Sequence, residues 1–291
     1  MLFFIQLIIF SCLFIKSISC DYIFCTSSCP QITVPFYEPT RLPRRCGDQK
    51  NTYHLALNCI IDYRIDYDAQ NVYINFKATN DTLNFRDYNQ SEFLTQSIWL
   101  GFNKESDQPN ITNRQYGCNT RNDCARSYYL ETIQRLIVGG KQLIDQIHEK
   151  LYRTRPFSSK DASQFCRDNT QKSNLTWTRC ERGLCYAQNI NRKQFCAKDN
   201  APTLFSDMIY YFPRAPTEER EYIEYKCNKY LCNRNSTMSL IMKYLRNYTD
   251  WYNLTSTETF RIGMRSSSDQ RTVSYCFLVL LMFSVRIIFS K

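Results

Sequence analysis

The chain has 291 residues, 43% of them hydrophobic, a formal net charge of +10 and fifteen cysteines. That length allows a sizeable core, while seven glycines, only Gly139 and Gly140 of them adjacent, exclude a glycine-rich phosphate loop. The end segments hold Lys16 and a net +2 over residues 269–291, so the body sits near +7, with no basic block that would point to nucleic acid.

Residues 2–15, LFFIQLIIFSCLFI, are an apolar run followed by the small and polar KSISC. This pattern predicts a secretory signal peptide over residues 1–20, too short to span a bilayer. Cysteine parity favours cleavage after Cys20. Twelve cysteines then remain in the body: Cys25, Cys29, Cys46, Cys59, Cys118, Cys124, Cys166, Cys180, Cys185, Cys196, Cys227 and Cys232. An even set behind a signal predicts disulfides, with the connectivity open. N-glycosylation acceptors occur at Asn80, Asn89, Asn110, Asn174, Asn235, Asn247 and Asn253, which fits passage through the secretory pathway.

Residues 21–155 read as an α+β ectodomain. After a loop rich in proline, Tyr53, Leu55, Leu57, Cys59, Ile61, Tyr63 and Ile65 alternate with more polar neighbours, the period of a half-buried strand. DAQN supplies a turn, and Val72, Ile74 and Phe76 continue the pattern. TLNFRDY and SEFLTQSIWLGF add two more expected strands, for an antiparallel sheet over about 53–103. An amphipathic helix over about 124–152 follows, with Tyr129, Ile133, Leu136, Ile137, Leu143, Ile144, Ile147 and Leu151 on one stripe. Asn122 or Asp123 is expected to cap it, and Gly139–Gly140 to kink or break it. The helix is expected to cover one face of the sheet.

Residues 156–235 are a cysteine-rich, mainly β and loop segment, either a second unit or part of the first. CERGLC (Cys180–Cys185) and CNKYLC (Cys227–Cys232) resemble each other and suggest a duplicated unit. Cys227, Cys232 and Asn233 also resemble the closing Cys-x4-Cys-Asn of three-finger domains of the Ly6 type, which stand just ahead of a lipid-anchor signal. The resemblance covers those residues alone and does not carry the fold over.

Residues 236–268 read as a glycosylated stalk and residues 269–291 as a C-terminal apolar tail. Val273 to Val285 spans thirteen residues before Arg286, about 20 Å at ~1.5 Å per residue, against roughly 30 Å of hydrocarbon. Ser266, with Ser267 and Ser268 as alternatives, DQRTVSYC as a spacer and the short tail fit a GPI signal better than a single-pass helix.

No catalytic, metal or cofactor site is expected. His54 and His148 lie in separate elements, and no Gly-x-Ser-x-Gly is present. Two carboxylate groups, Glu218/Glu219/Glu221/Glu224 and Asp62/Asp66/Asp68, offer material for a glycosidase, but interleaved Arg220 and Lys226 predict a solvated, self-paired face. The 21 tyrosines and 19 phenylalanines include MIYYFP and RSYYLE, expected in the core, although exposed rings can also make a sugar platform. The expectation is a non-enzymatic surface glycoprotein on the extracellular side of the plasma membrane. Its partners would be the membrane, through its tail, and an extracellular protein or glycan. A type I membrane protein, an extracellular hydrolase and a secreted ligand are the alternatives.

Overall fold

The structure, a computed structural model, describes residues 22–27, 29–44, 46, 52–81, 91–102, 109–152, 163–170, 176–181, 183–198, 201–212 and 219–249. The strands are β1 (Ile23–Thr26), β2 (Ile32–Pro35), β3 (Tyr53–Ala56), β4 (Asn58–Asp66), β5 (Asn71–Thr79), β6 (Glu92–Gly101) and β7 (Ile111–Cys118). After helix α1 (Cys124–Leu151) come β8 (Ser163–Asp168), β9 (Thr176–Glu181), β10 (Leu184–Gln188), β11 (Gln194–Ala197), β12 (Thr203–Phe212) and β13 (Arg220–Cys227), then α2 (Asn235–Thr249). The protein is therefore sheet-dominated rather than an even α+β arrangement. Nine strands form one antiparallel sheet in the order β11-β10-β13-β12-β6-β7-β4-β5-β2, and β1-β3 and β8-β9 form two small sheets. Strands from the cysteine-rich segment thus continue the sheet of the preceding region.

The twelve body cysteines form six disulfides: Cys25–Cys59, Cys29–Cys46, Cys118–Cys124, Cys166–Cys185, Cys180–Cys196 and Cys227–Cys232. The resemblance of CERGLC to CNKYLC does not mark a repeat. Cys180 and Cys185 go to different partners, whereas Cys227 and Cys232 close their own loop.

A larger repeat is present instead. The strand pairs β1/β3, β4/β5 and β6/β7 correspond to β8/β9, β10/β11 and β12/β13, and the order of the large sheet, apart from β2, is a palindrome about the β6–β12 seam. Cys59 stands opposite Cys118, and Cys185 opposite Cys227. Cys25 and Cys166, each preceded by phenylalanine, tie the first pair to the second with Cα separations of 5.1 and 5.2 Å. The closing disulfides Cys118–Cys124 and Cys227–Cys232 both span 6.2 Å. Just before each closing cysteine, Asp123 and Leu231 adopt φ of 52° and 51°. Their N–H groups donate to the carbonyls of Phe24 (2.6 Å) and Phe165 (3.0 Å), the residues before Cys25 and Cys166. The two other non-glycine residues with positive φ among those described, Gln70 and Arg192, sit in the equivalent β4–β5 and β10–β11 turns.

Three local expectations change. The run Tyr53–Ile65 is not one strand: the chain bends at Leu57, β3 pairs with β1, and Leu55 is 58% exposed while Ala56 is buried. Neither Asn122 nor Asp123 caps α1 with its side chain. Asn122 Oδ1 accepts the Phe24 N–H (2.9 Å), and Asp123 accepts the Thr26 N–H and hydroxyl (3.0 Å each), so both hold β1. The helix also runs unbroken through Gly139–Gly140. A Cβ on Gly140 would meet the Tyr67 hydroxyl at 1.8 Å, and that hydroxyl donates to the Leu136 carbonyl (3.2 Å). Close approach, not a break, explains this glycine. Gly140→Ala is therefore expected to destabilise by about 1–2 kcal/mol in urea unfolding, because overpacking outweighs the ~1 kcal/mol gain in helix propensity. The expected strand TLNFRDY lies outside the described residues.

α1 covers one face of the large sheet over β4, β5 and β7, and the β8–β9 pair packs at the β10–β11 end. Tyr63 and Phe76 meet Tyr129 edge-on, and Tyr116 stacks on Tyr128 with centroids 3.8 Å apart. Arg114 is buried there too, donating through Nε to Gln96 (2.5 Å) and through Nη1 to the Tyr128 hydroxyl (3.2 Å). Burial raises the pKa of the Tyr128 hydroxyl against the opposing charge of Arg114, so it stays neutral and accepts.

Candidate functional site

Alternation along a strand sends every second residue to the opposite face of the sheet. On β6 that set is Phe93, Thr95, Ser97 and Trp99, and on β4 it is Ile60, Asp62, Arg64 and Asp66. Neighbours in register continue it: Asn113 and Gln115 on β7, Asp207 and Phe205 on β12, and Tyr222 and Glu224 on β13. At one end this second face is apolar and closed. Ile60, Phe93 and Tyr211 form a buried cluster, and a Cβ on Gly117 would lie 2.0 Å from the Phe93 ring, so glycine is required beneath it. Over the rest of the face, Asp62, Tyr73, Asn75, Thr95, Ser97, Gln115, Asp207 and Tyr222 are half-buried and Arg64, Lys77 and Asn113 exposed.

Two zones share this open surface. The first is a shallow polar depression of about 660 Å³ over β5, β4, β7 and β6, lined by residues including Asp62, Asn75, Ser97, Asn113, Gln115 and Asp207. Its ions are paired within the sheet: Asp62 with Lys77 and with the Gln115 amide (2.6 Å), and Arg64 with Asp66 (3.0 Å) while lying over the Tyr73 ring. The second zone is aromatic and crosses β6, β12, β13, β10 and β11. Trp99 is 47% exposed and lies against Phe205 at 4.2 Å between centroids. Phe205 approaches Tyr222 at 5.9 Å, and Tyr186 approaches Phe195 at 4.6 Å.

Glu224 organises the aromatic zone. It accepts the hydroxyls of Tyr222 (2.6 Å) and Tyr186 (2.8 Å), and Gln188 donates to the Tyr222 oxygen (3.1 Å). Burial, and then the hydrogen bond to Glu224, raises the pKa of both phenols, so both remain donors. The expectation that Glu224 belongs to a face paired with Arg220 and Lys226 changes accordingly: this carboxylate serves tyrosines. The Asp62/Asp66/Asp68 set does not converge either. Asp66 accepts the Ala69 N–H (2.9 Å), and Asp68 accepts from Asn110.

Of the acceptor asparagines, Asn80, Asn235 and Asn247 are exposed and Asn110 half-buried. Asn80 Oδ1 accepts from Leu57 N–H (3.1 Å) and Asn235 Oδ1 from Gln194 (2.9 Å), so the nitrogen that carries a glycan is not the atom these contacts use. Asn110 differs: its amide nitrogen donates to Asp68 (2.9 Å) and its oxygen accepts from Gly101 (3.2 Å). Asn89, Asn174 and Asn253, together with Ser266, Ser267 and Ser268, lie outside the described residues. The two histidines stay apart. Ser27 Oγ and His54 Nδ1 are 2.5 Å apart on the exposed edge pair β1–β3, and His148 lies between the rings of Phe102 and Tyr152. Among the described residues no group of three or more His, Cys, Asp or Glu could hold a metal ion, and no helix is long and apolar enough to cross a membrane. The 269–291 tail is outside the described set.

No protein-family model matches the chain, and comparison with curated proteins and with solved structures finds no match either.

Proposed function

We propose that this chain is a cell-surface glycoprotein that acts by contact, with the open sheet face as its contact surface and a C-terminal lipid anchor attached at Ser266, Ser267 or Ser268. The observation that carries the reading is the asymmetry of the large sheet. One face is closed by α1 over the first repeat and by the β8–β9 pair at the β10–β11 end, while the other presents ordered polar and aromatic side chains across both repeats. Six disulfides fit an oxidising, extracellular setting and add cross-links to a buried core. Adhesion, recognition and coat protection all use such a surface, and none needs a catalytic group.

The anchor half of the proposal is tested by expressing the full chain in animal cells and adding a phosphatidylinositol-specific phospholipase. Release into the medium is expected, and mass spectrometry of the mature C-terminus should find it at Ser266–Ser268. Retention on the cell with Lys291 intact would establish a spanning tail, and soluble full-length protein in the medium would establish a secreted ligand.

A further inference from the structure

We infer that the open face binds a neutral oligosaccharide, laid along the Trp99–Phe205–Tyr222–Tyr186–Phe195 row with its hydroxyls reaching the adjoining amides and carboxylates. This names the ligand class for the contact surface proposed above and rests on that reading.

Four observations converge on sugar. First, the row has the right form. From β6 to β11 it crosses four inter-strand steps, about 19 Å, which is the length of a short saccharide chain and not of a single small molecule. Second, the rings are spread along the sheet as two tilted pairs, Trp99 against Phe205 and Tyr186 against Phe195, and not gathered into an apolar knob. Trp99 packs on Phe205 at an interplanar angle of 39° and is still 47% exposed, which leaves ring surface against which the C–H face of a pyranose can stack. Third, polar groups among the rings are already oriented. Glu224 fixes two phenols and Gln188 fixes one of them from the other side, so little ordering cost remains when a ligand arrives. Fourth, the neighbouring depression is rich in groups matched to hydroxyls: Asn75, Thr95, Ser97, Asn113 and Gln115, most of which both donate and accept.

The charge pattern selects among sugars. Lys77 and Arg64 are committed to Asp62 and Asp66, and on the same face Arg220 and Lys226 of β13 stand among Asp207 and Glu224, so cations and carboxylates balance. A sulfated or sialylated chain would meet paired cations and carboxylates, so a neutral glycan fits best. A protein partner fits less well. The core of a protein interface is depleted in charge and continuous in apolar area, whereas here Asp207 and Glu224 stand between the aromatic side chains.

The test uses the detergent-solubilised full chain on an immobilised panel of neutral, sialylated and sulfated oligosaccharides, with intrinsic fluorescence as a second readout. Binding to neutral members is expected, with a change in tryptophan emission. Trp99→Ala should weaken it by about tenfold and Tyr222→Phe by less, both at unchanged melting temperature, while Val138→Ala on the exposed side of α1 should have no effect. Preference for anionic members would overturn the assignment of a neutral ligand. No binding to the panel, with Trp99→Ala still abolishing adhesion of chain-coated beads to cells, would overturn the sugar assignment in favour of a protein partner and leave the contact surface standing. Adhesion untouched by Trp99→Ala would overturn the contact surface itself.

Discussion

Replacing Tyr129 by alanine is expected to destabilise the protein by about 3–5 kcal/mol, the range for removing a buried aromatic side chain. Tyr129 is fully buried on α1 and joins three parts of the molecule. Its ring meets Tyr63 of β4 at 5.5 Å and Phe76 of β5 at 6.4 Å, both edge-on, and its hydroxyl donates to the Pro39 carbonyl at 2.7 Å. Pro39 belongs to the connection between β2 and β3, so the same side chain fastens helix, sheet and loop. Tyr129→Phe separates the contributions. It keeps the ring contacts and leaves one carbonyl unpaired, for a loss of about 1 kcal/mol. Urea unfolding followed by circular dichroism measures both. A loss below about 1 kcal/mol for the alanine variant would mean that α1 does not seal this face.

Asn233→Ala is expected to cost about 3 kcal/mol and to act on one part of the structure. The side chain is wholly buried and makes three hydrogen bonds. Its Oδ1 accepts the Arg167 N–H (2.9 Å), and its Nδ2 donates to the carbonyls of Arg167 (2.8 Å) and Tyr186 (3.0 Å). Asn233 thereby clamps β8, in a two-stranded sheet, to β10 at the far side of the large one. Alanine would leave a buried N–H and two carbonyls without these partners. Asn233→Asp would restore the acceptor but set a carboxylate against two carbonyl oxygens, so it should be no milder. Hydrogen exchange should show lost protection in β8 and β9 while β4–β7 keep theirs. Uniform loss of protection would contradict a local clamp.

Much of the first half of the sheet was readable because its strands alternate cleanly. Ile61, Tyr63 and Ile65, or Val72, Ile74 and Phe76, point one way with polar residues between them. β7 was not readable. Its inward residues are Thr112, Arg114, Tyr116 and Cys118, so the buried side carries no hydrophobic period, and Gln96 and Tyr128 take donors of the arginine there. The caps of α1 depart from the expectation for a related reason. Asn122 and Asp123 have the residue types of an N-cap, but tertiary partners on β1 claim their oxygens.

The internal repeat was hidden by unequal spacing. β2 and the Cys29–Cys46 loop lengthen the interval between the first two equivalent cysteines to 34 residues, against 19 in the second repeat. What survives in sequence is little more than Phe-Cys at positions 24–25 and 165–166 and Cys-Asn at 118–119 and 227–228. Such short matches gain weight only when backbone conformation and disulfide pairing agree at the same places. The Cys-x4-Cys-Asn ending was visible, and the structure gives its asparagine a physical role. The aromatic row had one faint signal: Trp99 stands in phase with Thr95 and Ser97, on the polar side of its strand. A tryptophan at such a position has no core to fill, and only the register with Phe205 shows what it joins.

The central claim is that the face opposite α1 makes the contact, and cell adhesion of beads carrying the full chain tests it most directly. Asn113→Arg places a long charged side chain in the middle of the polar depression at an exposed position, and Val138→Arg does the same on α1. Loss of adhesion with Asn113→Arg and its retention with Val138→Arg, at equal melting temperatures, is the predicted result. Full adhesion by the Asn113→Arg chain would contradict the account.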